Sequence, residues 1–297
     1  MFNDVHPWII PLTFFYLFII PAGVFSNVIM ILCFLVNPRL RSPFHILLTL
    51  TCLADAIHVC GQLVFVLQLL SNSTSTCYFL NFFPAIGLTI AAPLLMEIGL
   101  DRLLAVSFPI KYREFQFKKC AYTCLHLVFP TMYTSSILYL GFVERNNTLV
   151  KCAIPTALAG NSFKVFTLSS HAIYVSILLA YMMTAIILKF HDTSLRFRAA
   201  FKSIGVTVGI VLFGWVITTV CNTFGYIVTE DPEIINLIQM YGGVTVNIAV
   251  SANLLVFYTI NPEYQLTVKM LMDKLCGKVS SLSESRNELQ NLKISQS

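Results

Sequence analysis

The chain has 297 residues, of which 57% are hydrophobic and only 11% charged, and its mean hydropathy is +0.77. A soluble domain carries roughly twice that charge, so an ordinary soluble globular fold is excluded. The net charge of +5 is modest, and its distribution, described below, points to a membrane face and not to nucleic acid.

An apolar run of about 20 residues crosses a bilayer core as a helix. Seven such runs follow one another, near 8–36, 44–70, 77–106, 120–142, 164–189, 203–228 and 235–260. No hydrophilic segment of domain size lies between them. The expected fold class is an all-α membrane protein, a seven-transmembrane helix bundle. The first run contains Pro11 and Pro21 and shows no small-residue cleavage pattern, so it reads as a retained signal anchor that is also the first helix. No internal repeat is present, and an odd number of spans does not fit the duplicated halves of many transporters.

The segments between runs set the orientation. Arg39 and Arg41, then Arg102, Lys111, Arg113, Lys118 and Lys119, then Lys189, Arg196, Arg198 and Lys202 fall on one side. The end of the chain adds Lys269, Lys274, Lys278, Arg286 and Lys293 to that side. That makes sixteen basic residues against three, Arg145, Lys151 and Lys164, on the other. Basic loops stay in the cytoplasm, so the N-terminus is expected outside. The two glycosylation sequons, at Asn72 and Asn146, then fall on outer loops.

Six of the nine cysteines, Cys33, Cys52, Cys60, Cys120, Cys124 and Cys221, lie in or at apolar runs, where cysteine behaves as a small buried hydrophobe. Cys77 and Cys152 face an oxidising compartment, in which a disulfide persists. After the seventh run, Tyr264, Val268, Leu271, Met272 and Leu275 recur at helical spacing with Lys269, Asp273 and Lys274 between them. This predicts a short amphipathic cytoplasmic helix near 261–275 on the membrane surface, with Cys276 as a palmitoylation candidate. The seven-transmembrane domain would span 1–276, and the polar residues 277–297 read as a disordered cytoplasmic tail.

The stretch EIGLDRLLAVSFPIKY, residues 97–112, sets Glu97, Asp101 and Arg102 at the end of an apolar run. Charge in hydrocarbon is costly and usually functional. Asp101 lies 24 residues after Cys77, about 36 Å along a helix, which places it at the inner interface of a core about 30 Å thick. There an exposed pair is worth at most about 1 kcal/mol. On physics alone, an ion pair that anchors a helix end carries about as much weight as a switch, and residues 107–119 read as an inner loop.

This stretch resembles the Asp-Arg-Tyr segment of rhodopsin-like G-protein-coupled receptors, with Leu103 in place of the tyrosine. Ser26, Asn27 and Val28 resemble the family's Gly-Asn-x-x-Val, and Leu53, Ala54 and Asp55 its Leu-Ala-x-x-Asp. Trp215 falls at the sixth-helix tryptophan, and the stretch NLLVFY from Asn253 is similar to Asn-Pro-x-x-Tyr. The Asp-Arg-Leu triplet, the SFPIKY segment, the missing seventh-helix proline and the closing NPEY resemble the nematode serpentine chemoreceptors of the Srsx type. Departures are Leu254 and Ile217 at family prolines, Phe257 at a tyrosine, Phe197 at an acid that locks the arginine, and Ala91 at a sodium-site hydroxyl.

The resemblance implies a disulfide between Cys77 and Cys152. It implies a receptor, and not an enzyme, that senses a small, largely neutral external molecule and activates a heterotrimeric G protein. Asp101, Arg102, Pro109, Tyr112 and Tyr181 would serve coupling, and Asn27, Asp55, Trp215 and Asn253 the activation core. The ligand pocket would be lined by Pro84, Leu88, Thr89, Phe166, Ser170, His171, Trp215, Thr218, Asn222, Gln239, Gly243 and Asn247. Pro84 replaces an amine receptor's aspartate, and Asn247 an opsin's Schiff-base lysine, so neither a cationic amine nor retinal is implied. No cofactor or metal is expected. Other partners would be membrane lipid and, at the tail, arrestin and a receptor kinase, with no nucleic acid. The setting would be the plasma membrane, in a sensory cilium for an olfactory role. Glu97 and His58 are expected to make structural hydrogen bonds. A receptor for an internal neuropeptide is the alternative within the class, and a transporter or channel the alternative outside it.

Overall fold

The computed structural model describes residues 7–67, 71–158, 160–190 and 195–275. Cys276, the tail 277–297 and the side chains of Asn72, Phe197 and Asn222 lie outside the described part. In chain order the helices are α1 (Ile9–Val36), α2 (Pro43–Leu67), α3 (Thr74–Leu80), α4 (Phe82–Ser107), α5 (Pro109–Phe117) and α6 (Lys119–Glu144). They continue as α7 (Ile154–Ala157), α8 (Gly160–Phe190), α9 (Leu195–Val228), α10 (Pro232–Ser251), α11 (Asn253–Ile260) and α12 (Pro262–Leu275). Two short strands, β1 (Ser71–Ser73) and β2 (Leu149–Lys151), pair antiparallel with Asn72 opposite Val150.

Long helices dominate because lipid offers backbone groups no hydrogen-bond partner, so each span must satisfy its own. Among the described residues, 6 helical stretches are long and apolar enough to cross a membrane. The fourth of the seven predicted runs, α6, is 26 residues long but less apolar, because Thr123, His126, Thr131, Thr134, Ser135 and Ser136 dilute it. It nevertheless packs within the bundle against α2, α4 and α8. The interior is apolar around Leu47, Leu94, Ile98, Ile177 and Phe257, each 1% exposed or less. Outward, large apolar side chains stand uncovered, Phe18 at 75% and Leu168 at 76%, as lipid-facing surface should. Cys60, Cys120 and Cys124 join this outer surface instead of the core, since lipid solvates a thiol as readily as a packed interior does. Small residues allow close helix approach: a Cβ at Gly87 would lie 2.5 Å from the Ala54 carbonyl oxygen.

Three local departures from the predicted runs have side-chain causes. The third run is broken at Asn81, whose buried amide donates to the Cys77 carbonyl at 3.2 Å and to Cys152 Sγ at 3.1 Å. The predicted loop after Ser107 is largely the helix α5, started by Pro109 in its first turn, where proline's fixed φ suits a helix and its missing N–H costs nothing. The seventh run breaks between Ser251 and Asn253 without a proline. Here the Val250 carbonyl accepts from the amides of Asn27 (3.0 Å) and Asn253 (3.2 Å), and the Leu254 N–H turns to Ser26 Oγ at 3.0 Å. Side-chain amides have replaced a helical hydrogen bond.

At one end of the bundle a disulfide joins Cys77 to Cys152, with Cα atoms 5.4 Å apart. It ties the 144–160 connection to the start of the third span. Gly160, at φ +62°, opens α8, and Glu144 Oε2 accepts the Ser162 N–H at 2.8 Å. At the opposite end, α12 docks Tyr264 (1% exposed) and Leu271 into the bundle, and Asn37 Nδ2 donates to Thr267 Oγ1 at 2.8 Å. Replacing Cys77 by serine should lower the unfolding free energy by about 2–4 kcal/mol, the usual worth of a disulfide closing a long loop. Thermal unfolding of the purified protein checks this; an unchanged midpoint would show the bond to be dispensable.

Candidate functional site

Three polar layers lie along the bundle axis. The first is a cavity of about 110 Å³ beneath the disulfide. Ala153, Pro155 and Thr156 cover it, held in place by the Cys77–Cys152 bond next door. Among the described residues, no Asp, Glu, Lys or Arg lines it. Of the predicted pocket residues, Leu88 and Phe166 line it, with Trp215 and Thr218 from α9 and Gln239, Gly243 and Asn247 from α10.

Four predicted residues lie elsewhere. Pro84 is pressed onto α2, where a Cβ at Gly61 would sit 2.3 Å from it. Thr89 is fully buried and donates to the Ala85 carbonyl at 2.8 Å. Ser170 is buried near Tyr133, and His171 is exposed on the outside of α8 against the Thr167 carbonyl. The bundle turns their faces away from the cavity. In exchange, α1 and α2 contribute Tyr16, His58, Gln62 and Phe65. Gln62 Nε2 donates to Asn247 Oδ1 at 3.2 Å, bridging α2 to α10. Sequence did hold a signal for this wall: Asp55, His58 and Gln62 recur at three- and four-residue intervals, one polar stripe on one helix face.

The second layer is a smaller void of about 30 Å³, reached past His58, Leu88, Trp215 and Val246, which line both spaces. Asp55 and Asn253 border it. Asn253 Nδ2 donates to Asp55 Oδ2 and to Asn27 Oδ1, both at 2.8 Å. All three side chains are at most 4% exposed. The break in the seventh span, the first helix and the second therefore meet in one hydrogen-bonded knot. The Trp215 ring lies tilted to Tyr174 at 5.4 Å and edge-on to Phe166 at 6.1 Å.

The third layer, at the end opposite the disulfide, contains Asp101 and Arg102. The depth argument expected an exposed, weak pair, but Asp101 is fully buried and Arg102 only 6% exposed. The reason is α5, which folds back so that Tyr112 covers them, while Tyr122 closes from α6. Arg102 Nε donates to Asp101 Oδ2 at 2.9 Å and its Nη2 to the Tyr112 hydroxyl at 3.0 Å. Tyr112 and Tyr122 each donate to Asp101 Oδ1 at 3.1 Å. Burial holds the Tyr112 phenol up at about 12, so it remains a donor to Asp101 while accepting from Arg102. The guanidinium also lies 4.1 Å over the Phe44 ring, a cation–π contact. Pro109 is exposed at the head of α5. Tyr181 is buried against Gly99 with its hydroxyl lacking a hydrogen-bond partner. One turn deeper, Glu97 and His126 form a buried pair at 2.6 Å, and Tyr122 packs edge-on to His126 at 4.5 Å.

The arrangement is two polar ends joined by a polar knot. Among curated proteins no match was found. The family model described as serpentine type 7TM GPCR chemoreceptor Srsx matches residues 20–272. That match runs from within α1 into α12 and crosses every long helix, so the chain belongs to the Srsx family of serpentine seven-transmembrane chemoreceptors of the G-protein-coupled type.

Proposed function

We propose that this receptor binds a small neutral external molecule in the cavity beneath the disulfide and signals by opening its opposite end to a heterotrimeric G protein. The observation that carries this is the cavity itself: about 110 Å³, beneath the disulfide-held cover and, among the described residues, lined by no charged one. A cation or anion entering it would lose hydration with no counter-charge. A volume of that size is also too small for a neuropeptide. The excess of basic residues puts the Asp101–Arg102 end in the cytoplasm and the sequons outside.

A ligand acts by binding two packings of the bundle unequally. Trp215 and His58 border both the cavity and the Asp55–Asn253 void, so occupancy of one space bears on the other. Asn27 and Asn253 hold the broken seventh span through the Val250 carbonyl. Repacking there would move α11, the neighbour of α12. In the resting arrangement Arg102 is engaged by Asp101 and Tyr112. In the active one it is released toward the partner, where Tyr181, with its unpaired hydroxyl, would support it. The exposed Pro109 would help shape the partner's contact on α5. The chain would sit in the plasma membrane, in a sensory cilium where it serves olfaction, with α12 lying on membrane lipid and arrestin and a receptor kinase acting at the tail.

The test is a panel of neutral volatiles and metabolites on cells that express this chain with a promiscuous G protein, with membrane current recorded in parallel. Ligand-dependent G-protein activation without current is expected. Current without G-protein dependence would replace the receptor reading with a channel.

A further inference from the structure

We propose that the cleft between the end of α4 and the helix α5 binds an acyl chain of an anionic phospholipid, with the lipid's headgroup on Lys111, and that the bound lipid holds α5 against the Asp101–Arg102 pair. Neither the site nor the hold depends on coupling to a G protein.

The cleft has a volume of about 200 Å³ and is lined by Leu104 of α4 and by Phe108, Lys111, Tyr112 and Phe115. The last four recur at i, i+3, i+4 and i+7, so α5 turns one face to it. Phe108 and Phe115 are 56% and 42% exposed, so protein does not seal the cleft. Its place names the occupant. Leu104 stands in the last turn of the span Phe82–Ser107, where hydrocarbon gives way to headgroups, and the excess of basic residues puts that end in the cytoplasmic leaflet. Four apolar or aromatic side chains there meet a hydrocarbon tail, and one ammonium meets an anion.

Charge complementarity selects the headgroup. Lys111 is exposed. The ion pairs among the described residues join Asp101 to Arg102 and Glu97 to His126, so Lys111 has no carboxylate partner there. Arg113, Lys118 and Lys119 lie near it in sequence, against Glu114 as the single acid of residues 108–119. A basic cluster at the cytoplasmic end of a span draws anionic phospholipid. A zwitterionic headgroup brings its own cation and gains less. Size fits a chain segment: a cavity of about 150 Å³ holds benzene, so about 200 Å³ takes on the order of eight carbons, and the rest of the lipid stays in the bilayer.

The cleft's walls reach the latch directly. The Tyr112 hydroxyl accepts from Arg102 at 3.0 Å and donates to Asp101 at 3.1 Å. Phe115 stacks on Tyr122 at 5.5 Å, and Tyr122 donates to Asp101 at 3.1 Å. A lipid that fills the cleft therefore binds this packing better than one in which α5 has moved away.

The experiment uses the full-length receptor in nanodiscs and two probes with the same photoreactive acyl chain, one a phosphatidylserine and one a phosphatidylcholine. Mass mapping locates the label. Labelling of residues 104–115, relative to the exposed Leu178, Leu179, Met182 and Met183 of α8, should be about fivefold higher for the serine lipid, the preference one lysine confers. Lys111→Gln should bring the two lipids level, and Lys111→Arg should keep the preference. Arg113→Gln, which removes a charge outside the cleft, should keep most of it, and Leu104→Trp should block much of the labelling by both. Hydrogen exchange reads the hold: phosphatidylserine should slow exchange in 108–117 of the wild type and not of Lys111→Gln. Melting temperatures show that each variant folds. Equal labelling by the two lipids, an undiminished preference in Lys111→Gln, or unchanged labelling in Leu104→Trp would each overturn the site. Equal losses in Lys111→Gln and Arg113→Gln would replace it with diffuse surface charge. Displacement of the probe by oleate at lower concentration than by unlabelled phosphatidylserine would make the occupant a free fatty acid and overturn the phospholipid. Exchange in α5 that ignores phosphatidylserine would overturn the hold.

Discussion

Arg102→Ala is expected to bind ligand as the wild type does and to activate no G protein, its ligand-driven signal falling to the level of untransfected cells. Arg102 sits at the end of α4 far from the disulfide, and Leu88, which lines the ligand cavity, precedes it by fourteen residues on the same helix. At about 1.5 Å per residue that is about 21 Å, so the guanidinium cannot touch a ligand. Removing it leaves the Asp101 carboxylate buried, which ordinarily costs about 3–5 kcal/mol. Tyr112 and Tyr122 still donate to Asp101 at 3.1 Å each, so part of that cost is offset and the receptor should reach the surface. Asp101→Asn tests the other half of the latch. It weakens the hold on Arg102 while keeping the side chain's shape, and basal signalling should rise. Radioligand or thermal-shift binding and a G-protein activation assay on the same membranes separate the two steps. Full ligand-driven signalling by Arg102→Ala would remove the arginine from the mechanism. Loss of surface expression in both variants would make the pair an anchor for the helix end.

The strength of that latch was not legible in the chain. Helical rise put Asp101 near one end of its span, and it does lie near the end of α4, but position along a helix says nothing of cover. The cover comes from α5, whose charged and short sequence gives no periodic signal, and from Tyr122, twenty-one residues on in another helix. Legibility was high wherever the bilayer imposes the rule. Seven apolar runs became seven long helices, the third broken near its start and the seventh in two pieces, because twenty apolar residues have few other folds in lipid. It was lower where side chains compete with the backbone. The seventh apolar run reads as one continuous span over 235–260, yet Asn27 and Asn253 take the Val250 carbonyl and open it. The cavity shows the same limit. Resemblance brought the walls from α9 and α10, while helix rotation, which apolar periodicity cannot fix when a helix is greasy all round, turned Thr89 and His171 away. The same rotation brought His58 and Gln62 in.

Glu97 and His126 should prove the costliest pair to break one at a time and among the cheapest to remove together. They join α4 to α6 in the interior, each less than 10% exposed, with Nδ1 and Oε2 2.6 Å apart. So short a contact belongs with charge-assisted hydrogen bonds. Two magnitudes compete for it. A neutral side-chain hydrogen bond between transmembrane helices is worth about 0.6 kcal/mol on average, whereas breaking a buried ion pair costs about 3–5 kcal/mol because one charge is left without its partner. The short distance favours the second, so Glu97→Leu and His126→Leu should each lower the unfolding free energy by about 3–5 kcal/mol. In the double variant no charge is stranded and two leucines fill the space, and apolar replacement of a buried pair is often neutral or stabilising. Most of the single-variant loss should then return. His126 also supports the Tyr122 ring at 4.5 Å, and Tyr122 in turn holds Asp101. The double variant, though stable, should therefore signal more in the absence of ligand. Thermal unfolding of the four proteins gives the cycle. Losses under about 1 kcal/mol in both single variants would show a neutral hydrogen bond, and simple additivity in the double would show that the two side chains do not act as a pair.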